Sequence, residues 1–251
     1  NSWTSGLQTA VGAIDIQPGD EIIVTPWTMS ATVSAIVSWL AIPVFADIDP
    51  NTLNLSPASV EKCISKRTKA IMVADIHGLS CDMDSLIRIA KKYNLKIIND
   101  AAQSPGAKYK GKFAGTIGDI GGFSLNYHKH IQTGEGGVLV TNDEKIAHKC
   151  RLIRNHAESI VNQNESLSNM IGSNYRMGEI EAAIGLVQLK KLKKIIKGRQ
   201  KISKVVSEVL DNYDFIKVFP TPKGYEHVYY VVPIMYEPEV TGVPRSKLVD
   251  A

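Results

Sequence analysis

Residues 123–137 read FSLNYHKHIQTGEGG. A β-type run ends in Lys129, which is set between His128 and His130, and a glycine-rich loop follows. Three chemistries use such a stretch. His128 and His130 offer imidazole nitrogens to a metal. Gly134-Glu135-Gly136-Gly137 offers a backbone cradle for a phosphate. Lys129 offers an amine that becomes a nucleophile once it loses its proton.

The rest of the chain separates these options. A metal site needs a third and a fourth ligand at fixed spacing. His77, His148, His156 and His227 are scattered and form no HExxH pattern, so no metal is expected. An amine needs different company. Asp100 closes the apolar run KIIND and is followed by Ala-Ala-Gln-Ser, which places a carboxylate at a strand's C-terminal end. Ser124 lies five residues before Lys129. Thr4 and Ser5 open the first helix, whose free amides and hydroxyls suit an anion. Each residue alone also has an ordinary role: a surface lysine, a turn cap, a strand serine, an N-cap pair. As a set they match the needs of pyridoxal 5'-phosphate. That cofactor wants an amine for its aldehyde, a carboxylate for its pyridine nitrogen and donors for its phosphate.

The elements that must position these groups alternate. Leu7, Ala10, Val11 and Ile14 share a helical face, giving a helix over 4–14. Strands are expected at 22–24, 43–48, 70–76, 96–100, 121–125 and 137–141. Helices are expected over 28–40, from Ser56-Pro57 to about 65, and after the cap Asp82. The strands are short, apolar and nearly unalternated, as in a mostly parallel sheet covered on both faces. Ligands of such sheets gather at the strands' C-terminal ends. The pattern changes at 179. EIEAAIGLVQLKKLKKIIKGRQKISKVVSEVL reads as one long helix or two joined at Gly198, followed by strands at 215–219 and 228–236. A large domain over 1–178 and the start of a smaller α+β domain over 179–251 are therefore expected. The final VPRSKLVDA reads as the beginning of a helix, and both ends of the chain read as cut.

Composition narrows the function classes. The chain has 251 residues, 44% of them hydrophobic, enough for a sizeable core. A net charge of +4 is too mild to argue for nucleic acid. Lys190, Lys191, Lys193, Lys194 and Lys197 alternate with apolar residues, as on the solvated face of a packed helix. Cys63, Cys81 and Cys150 lie far apart, which fits a reducing compartment rather than a disulfide framework. No apolar run suits a membrane span. A cytoplasmic protein is expected.

The stretches NSWTSGL, PGDEIIVTPWTMSAT, PVFADIDPNTLNL, DMDSLIRIAKKYNLKIINDAAQSPGAKYKGK, GDIGGFSLNYHKHIQTGEGGVLVTND and GSNYRMGEIEAAIGLVQL occur in one order over most of residues 1–190. In these stretches the chain resembles the DegT/DnrJ/StrS family of pyridoxal-phosphate sugar aminotransferases. The resemblance implies a three-layer α/β/α transferase of fold type I, like aspartate aminotransferase. It implies that Lys129 carries the cofactor's aldehyde, that Asp100 meets its ring nitrogen and that Gln103 lies near its ring hydroxyl. It gives Ser124 and the Thr4-Ser5 turn to the phosphate. It puts Asn174, or alternatively Arg176, beside the cofactor of a neighbouring subunit, so a homodimer with a shared active site is expected. Two positions depart from the family pattern. Met29, after Thr28, stands where many members place an aromatic over the ring; a thioether packs on a ring through its sulfur, and Trp27 is the alternative. His128 and His130 replace the commoner neighbours of the lysine.

The implied activity is transfer of an amino group, usually from glutamate, to a nucleotide-linked keto sugar. The alternatives are an aminotransferase of a cyclitol or aminobenzoate-precursor pathway, a cofactor-dependent sugar dehydratase, and a non-enzymatic regulator that keeps the fold. A dehydratase subgroup replaces the lysine by histidine, and Lys129 argues against it. A regulator has no need of Lys129, Asp100, Gln103 and Ser124 together.

Overall fold

The computed structural model describes residues 1–158 and 170–250. Helix α1 (Trp3–Ala13) is capped by Ser2, whose hydroxyl accepts the Ser5 N–H while the Ser5 hydroxyl accepts the Ser2 N–H. Strands and helices then alternate: β1 (Glu21–Val24), α2 (Ser30–Val37), β2 (Ile42–Phe45), α3 (Pro57–Lys62), β3 (Thr68–Ala74), α4 (Met83–Tyr93) and β4 (Lys96–Asp100). A small hairpin, β5 (Lys108–Tyr109) and β6 (Lys112–Phe113), precedes β7 (Ile120–Ser124), β8 (Gly137–Val140) and α5 (Glu144–Arg154). The long α6 (Glu179–Leu210) leads to β9 (Ile216–Val218), β10 (Tyr225–Glu226) and β11 (Ile234–Tyr236).

The main sheet has six strands in the order β2-β1-β3-β4-β7-β8. All neighbours run parallel except β7 and β8, which form an antiparallel pair. Alternation along each strand sends side chains to opposite faces. Ile22, Val24, Met72 and Ile98 join α1, α2 and α5 in one core. Ile23, Ile71, Val73 and Ile97 join α3 and α4 in the other. This is the expected α/β/α sandwich. Its register aligns Ala74 with Asp100 and Asp100 with Gly122, so β3, β4 and β7 end side by side.

Three expectations change in detail. The helix read over 28–40 covers only Ser30–Val37, because Met29 is extended and starts it. The run at 228–236 is a strand only over Ile234–Tyr236. Its first part docks instead on the turn after β3, where the Val228 N–H donates to the Gly78 carbonyl at 3.0 Å. Pro233 lacks the N–H that a continuous ladder needs. The segment 179–210 is a single helix that passes straight through Gly198. Its lysines 190, 191, 193, 194 and 197 face solvent, and so do Ile180, Leu186, Val187 and Leu189. Beyond it, β10 pairs with β5, which ties the later part of the chain to the earlier one. The closing helix is found over Arg245–Asp250, and Ala251 lies outside the described residues. Among the described residues no helix is long and apolar enough to cross a membrane.

Candidate active site

Lys129 sits in the connection between β7 and β8. The connection closes on itself: the Leu125 N–H donates to the Gly136 carbonyl, and the Thr133 N–H to the Leu125 carbonyl, both at 2.9 Å. The Lys129 N–H donates to the Asn126 carbonyl at 2.9 Å. Gly134 takes a φ of +82°, a turn conformation that a side chain would resist. The Asn126 amide reaches Glu135 across the loop at 2.5 Å. The glycine-rich segment is therefore the return of a hairpin that holds the lysine in place.

The lysine points into a cleft of about 210 Å³ at the C-terminal ends of β3, β4 and β7. Its amine stands 4.6 Å from the centre of the Tyr230 ring. Burial disfavours the ammonium and lowers its pKa, while the Asp100 charge opposes that shift. Across the cleft, Asp100 is buried at the end of β4. Its Oδ1 accepts the Trp3 indole N–H at 2.6 Å and the Ala102 N–H at 3.1 Å. Its Oδ2 accepts the Thr32 hydroxyl at 2.7 Å, and Thr32 is paired with the Thr28 hydroxyl at 2.9 Å.

Six of the eight residues assigned to the cofactor from the sequence line this one cleft: Thr4, Met29, Asp100, Gln103, Ser124 and Lys129. Met29 is 64% exposed at the mouth; the Trp27 ring meets the His77 ring in a T-shaped arrangement, 6.5 Å between centres. Gln103 is fixed by accepting the His77 N–H at 2.7 Å. The Ser124 hydroxyl accepts the Asn126 N–H at 3.3 Å. Ser5 lies elsewhere. Its hydroxyl serves the helix cap, and it lines a separate cleft of about 530 Å³ with Arg151, Arg154 and Tyr175. One helical step separates Thr4 from Ser5, and that step turns the two side chains to different sides of α1. Asn174 is also outside the cleft. It bridges to Asn155, and its carbonyl accepts an amide N–H of Asn1. Arg176 donates to the Asn155 side chain at 2.7 Å.

The two histidines beside the lysine part company. His128 lines the cleft. His130 is buried, and its Nε2 lies 3.0 Å from the Val228 carbonyl, which fixes the proton on that nitrogen. Burial pushes its pKa down to about 4. Among the described residues no three His, Cys, Asp or Glu side chains are grouped to hold a metal.

Several residues of the site escaped the sequence reading. Trp3, Thr32, Ala102 and Tyr230 all line the cleft. Thr28 and Thr32 stand at i, i+4 and carried a usable signal. Trp3 carried none, because its partner Asp100 is 97 residues away. Asp75, at the end of β3, also borders the cleft; burial pushes its carboxyl up to about 7.

The donor set suits pyridoxal phosphate. An amine of depressed pKa and a carboxylate share one cleft, Thr4 and Ser124 supply hydroxyls, and Met29 and Ala102 offer apolar walls. Fold and cleft together define the class as a pyridoxal-phosphate-dependent transferase with a parallel-sheet core.

The model of the DegT/DnrJ/EryC1/StrS aminotransferase family matches residues 1–251, and the chain belongs to that family. It is 41% identical to the GDP-perosamine synthase of Caulobacter vibrioides over 80% of its own length and 54% of that protein's. An aminotransferase from Psychrobacter cryohalolentis superposes with a TM-score of 0.91 at 32% identity, covering 98% of this chain and 66% of that one. The ntda protein of Bacillus subtilis, solved with bound cofactor PMP, superposes with a TM-score of 0.85 at 29% identity, covering 96% and 55%. The chain thus spans between about half and two thirds of these relatives' lengths.

Proposed function

We propose that the protein is an aminotransferase that moves an amino group from glutamate to a nucleotide-linked keto sugar. The observation that carries this reading is the convergence of Lys129 and Asp100 in one cleft that Met29 and Ala102 also line. Pyridoxal phosphate, when bound, supplies an aldehyde that amines can join and a protonated ring that draws electrons from the α-carbon. With the cofactor bound, Asp100 would hold the proton on its ring nitrogen, Thr4 and Ser124 would hold its phosphate, and Gln103 would lie near its ring hydroxyl. Lys129 would anchor the aldehyde. Once displaced, its amine would take up the proton of the donor's α-carbon and later give it back. The depressed pKa of this amine favours the first of those transfers.

The nucleotide-sugar assignment is supported by the relative that makes GDP-perosamine. In the proposed assembly a second copy brings Asn174 or Arg176 to this cleft, and residues 179–251 begin a second domain that borders it.

The test uses the full-length protein with pyridoxal phosphate. A visible cofactor band that glutamate converts, and that Lys129→Ala no longer shows, supports the reading. A band indifferent to glutamate points to another donor or to dehydration. Absence of any band removes the catalytic reading.

A further inference from the structure

A carboxylate offers about four acceptor positions. On Asp100, three are taken by fixed donors: the Trp3 indole, the Ala102 amide and the Thr32 hydroxyl. One is left, which suits a single ring N–H. Of the two side-chain donors Trp3 is distinctive. An indole nitrogen only donates, so, unlike the Thr32 hydroxyl, it cannot turn round and accept the hydrogen bond that Asp100 must receive from the ring nitrogen. Its ring is also held by packing. A Cβ at Gly122 would come within 2.4 Å of it, and one at Gly6 within 2.6 Å.

We propose that Trp3 is a positioning residue for Asp100. Its indole N–H holds the carboxylate in one orientation and leaves a single acceptor free for the cofactor's ring nitrogen. This inference rests on the function proposed above.

The test compares three forms of the full-length protein: wild type, Trp3→Phe, and a form in which residue 3 is the benzothiophene analogue of tryptophan. The analogue keeps the shape and lacks only the N–H. Cofactor affinity, the position of the visible band and the rate of the glutamate half-reaction are measured on each. In wild type without cofactor, the ¹⁵N-labelled indole N–H of residue 3 is expected to exchange slowly and to shift in Asp100→Ala. Both altered forms are expected to bind pyridoxal phosphate about tenfold more weakly, the loss of one charge-assisted hydrogen bond. Their bands are displaced and their half-reaction is slower, while KM for glutamate is kept. An analogue that behaves as wild type overturns the proposal, even where Trp3→Phe is impaired, because the indole then acts by bulk alone. Wild type that takes up no pyridoxal phosphate defeats the underlying reading and this one with it, and that arm is read without any variant.

Discussion

In the proposed reaction Lys129 and Asp100 divide the work of the site, and substitution separates their parts. Lys129→Arg keeps a cation on the same loop but removes the amine that can lose a proton. Its half-reaction with glutamate is expected to slow by about 10²–10⁴-fold, measured by single-turnover spectroscopy. Asp100→Asn keeps the volume and removes the charge. The cofactor is expected to bind roughly 10- to 100-fold more weakly by equilibrium dialysis, the range for a hydrogen bond to a charged group. A variant that retains wild-type affinity would deny Asp100 its role at the ring nitrogen. Both residues were legible from type and place: a lysine after a strand, an aspartate at a strand end. Trp3 was not, because its part depends on a contact between α1 and the end of β4, far apart in the chain.

At the scale of elements, the site depends on how closely α1 approaches β7 and β8. A Cβ on Gly122 would lie 2.4 Å from the Trp3 ring and 2.1 Å from the Val138 carbonyl. Gly122→Ala is expected to cost about 1–3 kcal/mol of stability by urea unfolding, as overpacking does, and to weaken cofactor binding in parallel. The docked segment after β10 gives a pH prediction. Burial holds the imidazoles of His130 and His227 at pKa values of about 4, below an unfolded value of 6.5. The unfolded chain therefore binds more protons between pH 6.5 and 4, and the stability they give is present above 6.5 and lost as pH falls toward 4. Each contributes on the order of 3 kcal/mol over that window. His130→Phe should flatten the fall of the urea midpoint over this window; an unchanged slope would clear His130 of it. The βα alternation was legible because buried parallel strands write themselves as short apolar runs. The docking of 228–231 was not. Its partners, His77 and Gly78, lie far back in the chain, and its apolar residues look like any strand's.

For the whole molecule, the exposed apolar side chains of α6 matter most. Ile180, Leu186, Val187 and Leu189 face solvent over a helix of 32 residues. The relatives are longer, and the proposed assembly is a dimer, so this face is expected to be covered in the full-length protein. If a second copy covers it, the thermal midpoint should rise with protein concentration by mass action. A midpoint that is constant over about a hundredfold dilution would assign the face to the rest of the same chain instead. The three tryptophans offer a way to watch such events. Trp3 lies 5% exposed in the cleft, Trp39 packs against the α1–α2 core, and Trp27 is 51% exposed. Their fluorescence should therefore separate by depth. Red emission quenched by a soluble agent would report Trp27, and blue, shielded emission the interior. A ligand seated in the cleft would lie against Trp3, which lines it, and would dim the shielded component, so the protein carries its own optical gauge of occupancy.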